Sequence, residues 1–367
     1  LYFNLEKYRE AIDSYKRAAR LSPNMSQIYL SRGKCYASLE NYGEAVNDFY
    51  RALDRDPENI DAKLELANLL FDLKRYNESI EFYNDILLVK PGNSIALKNL
   101  STSYFEEGYF WESVATLNTY LSQNTEDYYQ NLLGRSYAKI KDKEQEAIDE
   151  FTMVSNYNPE YKDVDYNIGK LHFKMGNYEK SIESFKEAVR KHPNDTKSHV
   201  ELGRSYHKKG LFEDAILAFD LASKADYKYA PSYYYKGEVY FSQDQFKDAA
   251  KSYKKALMQD SEYVEALYKR GLSFFRDEEY DSSAASFRKG IDLGPPNEAD
   301  YFHQLGKAKI AGALALPEND RERKKQINKQ AIFALKEAIR LNPDSDSSYF
   351  EIGRAYYYRA QFEQAAE

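Results

Sequence analysis

A small residue recurs every 34 positions along this chain, at Ala11, Ala45, Ser79, Ser113, Ala147, Ser181, Ala215, Ala249 and Ser283, and after one longer step at Ala331 and Ala365. Four positions after each marker, as far as the chain runs, stands an aromatic residue or a leucine: Tyr15, Phe49, Tyr83, Leu117, Phe151, Phe185, Phe219, Tyr253, Phe287 and Leu335. Three positions before it most copies carry another aromatic, such as Tyr8, Tyr42, Tyr76, Phe110, Tyr178, Phe212, Phe246 and Tyr280. Spacings of three and four place side chains on one face of a helix. A fixed period of this length means one supersecondary unit copied many times, each copy burying its apolar face against its neighbours.

About twelve residues before the marker stands a second signature, a glycine followed three places later by a bulky residue: Gly33 with Tyr36, Gly134 with Tyr137, Gly169 with His172, Gly203 with Tyr206, Gly237 with Tyr240, Gly271 with Phe274 and Gly353 with Tyr356. Glycine inside a helix costs about 1 kcal/mol against alanine, so its recurrence implies a close helix crossing. Prolines at 23, 57, 91, 159, 193, 295 and 343 close the units and stop the second helix. The order glycine, bulky, small, aromatic, proline resembles the tetratricopeptide repeat. That resemblance implies an all-α fold, a right-handed superhelical α-solenoid of stacked helix-turn-helix units.

In that frame residues 1–25 are a partial repeat with the second helix only, 26–297 are eight repeats, 298–345 a ninth with an inserted segment at about 312–330, and 346–367 a truncated tenth. The ninth repeat has about thirteen residues more than the usual spacing between glycine and marker, which are expected to extend one helix and form an exposed loop or short extra helix. Ala67 and Ser101 stand in for the glycine, and the proline is missing at Thr125, Tyr227 and Ser261, where longer or differently bent junctions are expected. The chain begins inside a second helix and reads as a segment of a longer protein.

Charged residues make up 30% of the chain and mean hydropathy is −0.76, as in a thin, soluble stack whose helix pairs each have a solvated face. No apolar run reaches the roughly 18 residues of a membrane span, and no signal peptide opens the sequence. The net charge of −7 argues against generic nucleic-acid or anionic-membrane binding. A single cysteine, Cys35, excludes an internal disulfide and is expected to be a packed thiol; the compartment stays open between cytoplasm and periplasm.

No enzyme motif, phosphate loop or cofactor fingerprint is present. The five histidines have no metal-site spacing, and His172 and His199 occupy packing positions. Most of the 35 tyrosines, Tyr36, Tyr42, Tyr83 and Tyr253 among them, fall at packing positions as well.

Positions 2, 5, 9, 12 and 13 of each first helix share a stripe at 100° per residue, which by the resemblance lines the concave groove. In repeats four to six, position 9 is Arg135, Lys170 and Arg204 and position 13 is Lys139, Lys174 and Lys208, six cations in an acidic chain. Like charges stacked on adjacent helices repel unless an anion neutralises them. Asn131, Asn167, Tyr166 and His207 add polar contacts, and the stripe turns aromatic further on with Tyr234 and Tyr268. The resemblance also implies a clamp for a partner's C-terminal carboxylate, with nearest matches Asn131 and Arg135, Asn167, and Lys197 with Glu201. Glu201 stands where that clamp has a cation and Asn131 where it has a lysine. The aromatics at position 12, Phe71, Phe105, Phe173, Phe241 and Phe275, read as filling between layers.

The expected function is a non-catalytic protein-protein interaction scaffold holding a peptide or protein segment with acidic groups, with no cofactor and no nucleic acid. Alternatives are a regulatory or substrate-recruiting array of a larger enzyme and, less consistent with the charge, an RNA-binding solenoid.

Overall fold

The computed structural model describes residues 2–364, and among them every regular element is an α-helix, twenty in all. The chain divides into two compact units, residues 1–171 and 172–367. The first contains α1 (Tyr2–Leu21), the hairpins α2 (Ser26–Ser38) with α3 (Tyr42–Arg55), α4 (Ile60–Asp72) with α5 (Tyr76–Val89), α6 (Ser94–Glu106) with α7 (Phe110–Leu121) and α8 (Asp127–Lys139) with α9 (Glu144–Tyr157), and most of α10 (Val164–Lys174). The second continues with α11 (Tyr178–Lys191), then α12 (Thr196–Lys208) with α13 (Phe212–Ala225), α14 (Ala230–Ser242) with α15 (Phe246–Gln259), α16 (Val264–Arg276) with α17 (Tyr280–Asp292), α18 (Glu298–Ala315) with α19 (Arg321–Leu341), and α20 (Asp346–Gln364).

The glycine signature is explained by one contact. A Cβ built on Gly203 would lie 2.6 Å from the Phe219 ring, one on Gly237 2.6 Å from Tyr253, one on Gly33 2.7 Å from Phe49 and one on Gly271 2.7 Å from Phe287. Each ring belongs to the residue four places after the marker, so the bare backbone of the first helix is the floor on which the second helix seats its largest side chain. Those rings are fully buried, each contributing about 1.5–3 kcal/mol of hydrophobic stabilisation. Gly353 departs from the pattern, with no atom within 4 Å of the added Cβ. The markers Ala45, Ala147, Ala215, Ala249, Ser79, Ser113, Ser181 and Ser283 have no exposed surface, whereas Ala365 lies outside the described residues.

The serine markers show why some copies use Ser. Ser79 Oγ lies 3.1 Å from Ser103 Oγ, Ser113 Oγ 3.1 Å from Ser136 Oγ and Ser181 Oγ 2.9 Å from Ser205 Oγ, each pair joining the second helix of one repeat to the first helix of the next. Where the marker is Ala147 or Ala215, the facing position is Leu171 or Val239 instead. Backbone carbonyls satisfy the buried serines outside these pairs: Ser273, which faces Ala249, donates to the Lys269 carbonyl, and Ser283 donates to the Gly271 carbonyl, each at 2.8 Å.

Position 12 has a partner inside its own repeat. Phe71 meets Tyr76, Phe105 meets Phe110, Phe173 meets Tyr178, Phe241 meets Phe246 and Phe275 meets Tyr280, all edge to face with centroids 5.4–5.7 Å apart. These contacts clamp the turn between the paired helices. Tyr42 follows Ala37 at that position, has no ring to meet, and is 41% exposed, contrary to its reading as a core tyrosine.

Two junctions without proline turn like the rest. α13 and α15 stop at the usual place because Asp226 Oδ1 accepts the Lys228 N–H at 2.9 Å and Asp260 Oδ1 accepts the Glu262 N–H at 3.0 Å. An aspartate turn replaces the proline stop, so the expected longer junctions are absent there. At the Thr125 junction α7 ends early, and Asn124 donates back to the Tyr120 carbonyl at 2.9 Å.

The insertion in the ninth repeat lengthens both helices of the hairpin. α18 runs 18 residues and α19 runs 21, against 13 to 14 in α14 to α17, with a short turn at 316–320 between them. No separate extra helix forms. α20 also differs from the expected truncated repeat, continuing as one helix through the place where a turn would begin. Ala360 stands there, where Gly210, Asp244 and Glu278 adopt the left-handed conformation in other repeats. Alanine enters that conformation at a cost of about 1–2 kcal/mol, which favours continuation.

Candidate functional site

The cations of the basic strip fall into two kinds. Arg135 and Lys139 on α8, Lys170 on α10 and Lys208 on α12 are exposed, and no carboxylate stands at ion-pair distance from any of them among the described residues. Lys174 is exposed as well. Arg204 is different: it is half-buried, and its guanidinium pairs with Glu201 at 2.7 Å one turn earlier on α12. Glu201, which departs from the carboxylate-clamp pattern, is therefore spent on a neighbour. Lys98, Lys236 and Lys269 are likewise neutralised, by Glu126 at 2.6 Å, Asp220 at 2.6 Å and Glu238 at 2.8 Å.

Position 9 cations rest on the position 12 aromatic of the preceding repeat. Arg135 lies 4.6 Å from the Phe105 centroid, Arg204 5.0 Å from Phe173 and Lys307 5.6 Å from Phe275. Lys170 follows a repeat with Ala138 at that place and lies instead 5.5 Å from the Tyr166 ring on its own helix. Such contacts contribute about 0.5–1 kcal/mol each at exposed sites and hold long side chains in defined directions. Tyr166 is thus a support for Lys170.

Where the residue four after the marker is tyrosine, position 9 changes character. Tyr83 Oη donates to Asn68 Oδ1 at 2.8 Å and accepts from Asn99 Nδ2 at 2.9 Å. Tyr253 Oη donates to Glu238, which also takes Lys269 Nζ. Repeats with phenylalanine there, Phe151 and Phe219, have Arg135 and Arg204 at position 9. A buried phenol needs an acceptor, and a buried phenyl leaves the position free for a cation. This coupling escaped the sequence reading, although the alternation of Asn or Glu with Tyr, and of Arg with Phe, carries it.

The remaining candidates are more enclosed than expected. Asn131 is 8% exposed and offers little surface to a ligand, and Asn167 is half-buried. His207 Nε2 lies 3.0 Å from Ser242 Oγ, and burial holds its ring below the usual histidine range. Tyr234 packs among Tyr235, Tyr253 and Tyr263 with centroids at 5.2, 5.7 and 5.0 Å, and Tyr268 lies 5.0 Å from Tyr301. Burial pushes both phenols up. Tyr229 and Tyr263, not singled out from sequence, stand at the N-caps of α14 and α16, where Asn59, Asn93 and Asp195 elsewhere accept a backbone N–H. Tyr263 trades that cap for a place in the aromatic cluster.

The histidines read as packing residues are buried. His199 Nε2 meets the Pro193 carbonyl at 2.8 Å, the same reach by which Tyr29 Oη donates to the Pro23 carbonyl. Cys35 is half-buried, and its burial raises the thiol pKa. Among the described residues no group of three or more His, Cys, Asp or Glu is placed to hold a metal, and no helix is long and apolar enough to cross a membrane.

Comparison with known proteins agrees with the repeat geometry. Family models described as tetratricopeptide repeat match residues 37–104 and, in a second model, 1–60 and 166–231, and one described as TPR repeat matches 237–278. Together they cover more than half of the sequence. The chain belongs to the tetratricopeptide repeat family. No curated protein matches it. Among solved structures, a tetratricopeptide repeat protein from Parabacteroides merdae is similar at 17% identity over 68% of this chain and 99% of that one, with a TM-score of 0.47. The Cut9–Hcn1 hetero-tetramer of APC/C is similar at 14% identity over 94% and 81%, TM-score 0.46, and yeast Tom70 at 14% over 98% and 94%, TM-score 0.43.

Proposed function

We propose that this chain is a non-catalytic scaffold that holds a segment of a partner protein carrying acidic groups. The cations assigned to acidic groups of a partner are Arg135, Lys139 and Lys170 within the first unit, and, separately, Lys174, Arg204 and Lys208 within the second. The supporting observation is the contrast within the chain's own charges: Lys98, Lys236 and Lys269 are consumed by internal carboxylates, while Arg135, Lys139, Lys170 and Lys208 stand exposed without one among the described residues. Arg204, already paired with Glu201, contributes less than the other five.

The experiment is affinity capture with the wild-type chain, an Arg135→Glu/Lys170→Glu variant and a Lys208→Glu variant, with captured proteins compared at low and high salt. Loss of acidic partners from each variant, and weaker capture in high salt, is the expected outcome. Equal capture by all three proteins removes these cations from the binding face. Recovery of RNA in place of protein would replace this reading with the nucleic-acid one.

A further inference from the structure

A groove runs between α17 and α19, within the second unit. One wall is α17, which presents Asp281, Ala284, Ala285 and Arg288. The other is α19, which presents Gln326, Lys329, Gln330 and Phe333. Both sets follow the spacing i, i+3, i+4, i+7, so each wall is one continuous helical stripe. Phe302, Leu305 and Lys309 of α18 form the floor, and the cavity between the walls measures about 840 Å³.

A second cavity of about 340 Å³ continues the groove past Asp281, lined by Glu278 and Glu279 before and at the N-cap of α17, and on the other side by Gly312, Leu316, Arg323 and Ile327. The last four belong to the extension created by the insertion. From Arg323 to Phe333 the α19 wall spans about 15 Å, roughly three helical turns. An elongated groove between parallel stripes suits a helix laid into it rather than a compact small molecule.

Its chemistry is apolar below and cationic above. Phe302 and Leu305 are buried in the floor, but Phe333 is 59% exposed. Lys309 is half-buried, donates to Gln330 Oε1 at 2.7 Å, and like Lys329 has no carboxylate at ion-pair distance among the described residues. Burial, with Arg288 nearby, lowers the Lys309 pKa, and Asp281 partly opposes this. Arg288 faces Asp292 at 3.4 Å on an open surface, and Asp281 lies 3.9 Å from Arg323. In the larger cavity Lys309 and Lys329 thus stand as the cations beside an exposed aromatic, while the acids Glu278 and Glu279 lie in the smaller one.

We propose that the groove between α17 and α19 is a second docking site, separate from the strip assigned above, for an amphipathic helix of a partner protein whose apolar residues cover Phe333 and whose acidic residues meet Lys309 and Lys329. The inserted residues of the ninth repeat exist, on this assignment, to lengthen the groove.

The probe is a stapled, fluorescently labelled peptide of about three helical turns, with leucines at i, i+3, i+4 and i+7 and glutamates on both flanks. Its counterparts replace the glutamates by lysines or the leucines by serines. Anisotropy titration is expected to give saturable binding of the acidic leucine peptide and at least about tenfold weaker binding of both counterparts. Lys329→Glu/Phe333→Ala changes only exposed side chains, so the fold persists, checked by circular dichroism; it is expected to weaken binding by about tenfold or more. Arg135→Glu/Lys170→Glu leaves this binding unchanged while affecting the strip. Equal binding of the acidic and basic peptides, or binding that survives Lys329→Glu/Phe333→Ala, overturns the proposal. So does sedimentation showing a self-associated form abolished by Phe333→Ala, which would assign the groove to a second copy of the chain.

Discussion

The hydroxyl of Tyr253 donates to the carboxylate of Glu238, and that carboxylate is held from the following repeat by Lys269 Nζ at 2.8 Å. The ring lies beneath the first helix at Gly237 with no exposed surface. Burial, reinforced by Glu238, raises the phenol far above its ordinary range.

The neutral phenol is therefore the form the fold selects, and Tyr83, Tyr234, Tyr263 and Tyr301 are shifted in the same direction. In the unfolded chain tyrosine ionises near pH 10. Stability from these groups is complete below that pH and falls as pH rises above it. Urea denaturation across pH 8 to 11, followed by tyrosinate absorbance, is expected to show a declining midpoint only at the alkaline end. Tyr253→Phe reduces the decline, while Glu238→Ala lowers stability at every pH by about 1–3 kcal/mol by stranding the hydroxyl. A midpoint independent of pH would contradict the assignment.

Gly203→Ala is expected to destabilise, although alanine is the better helix former by about 1 kcal/mol. The new methyl would lie 2.6 Å from the Phe219 ring, and overpacking of this kind costs about 1–3 kcal/mol. In the Phe219→Ala background the same change should turn neutral or favourable. A double-mutant cycle by thermal melting measures the coupling, and additive effects would mean the glycine serves another purpose.

Acid weakens the second unit through its histidines. Burial lowers the pKa of His172, with Lys180 adding to the effect and Glu183 opposing it, and that of His303, with Lys307 adding and Glu351 and Asp300 opposing. A histidine held below its unfolded value of about 6.5 contributes full stability above that pH and loses it as pH falls through the folded value. Thermal melts from pH 7 to 5 should drop, and His172→Tyr, which restores the residue type of neighbouring repeats, should flatten part of the fall. Identical pH profiles for the variant and the wild type would count against it.

Glu278 sits at φ 61° in the turn between α16 and α17, the conformation that Gly210 adopts at φ 75° between α12 and α13. Glu278→Gly is expected to stabilise by up to about 1 kcal/mol, and Gly210→Ala to destabilise by about as much. Opposite shifts in melting temperature are the expected signature. Shifts of the same sign would refute it.

Much of the fold was legible because every contact inside a hairpin repeats at the same register. Gly203 and Phe219, or Phe275 and Tyr280, recur as pairs within one copy, so period alone reveals them. Contacts between copies were harder to see. The Ser181 and Ser205 hydroxyls meet only once the stack is formed, and nothing local marks either as paired. The stops at Asp226 and Asp260 were hidden because aspartate achieves by side-chain acceptance what proline achieves by its ring. At the candidate strip, helical phase identified the exposed face of Lys139, Lys170 and Lys208. It did not foresee that Arg204 would turn toward Glu201, or that Asn131 would lie below the surface, since both depend on neighbours one turn away.

The serine pairs also constrain how such a chain is reassembled. Ser79 with Ser103 and Ser181 with Ser205 join neighbouring copies, whereas the glycine and ring contacts recur in interchangeable form within each copy. A chimaera joined between two copies would part these hydroxyls from their mates and leave Ser79, Ser103 and Ser205 only the backbone carbonyls of Tyr76, Asn99 and Glu201 as partners. One joined at the bend inside a hairpin keeps each hydroxyl with its mate and asks only that one glycine accept another copy's ring. Shuffling in this array is therefore safest in the middle of the unit rather than at its border.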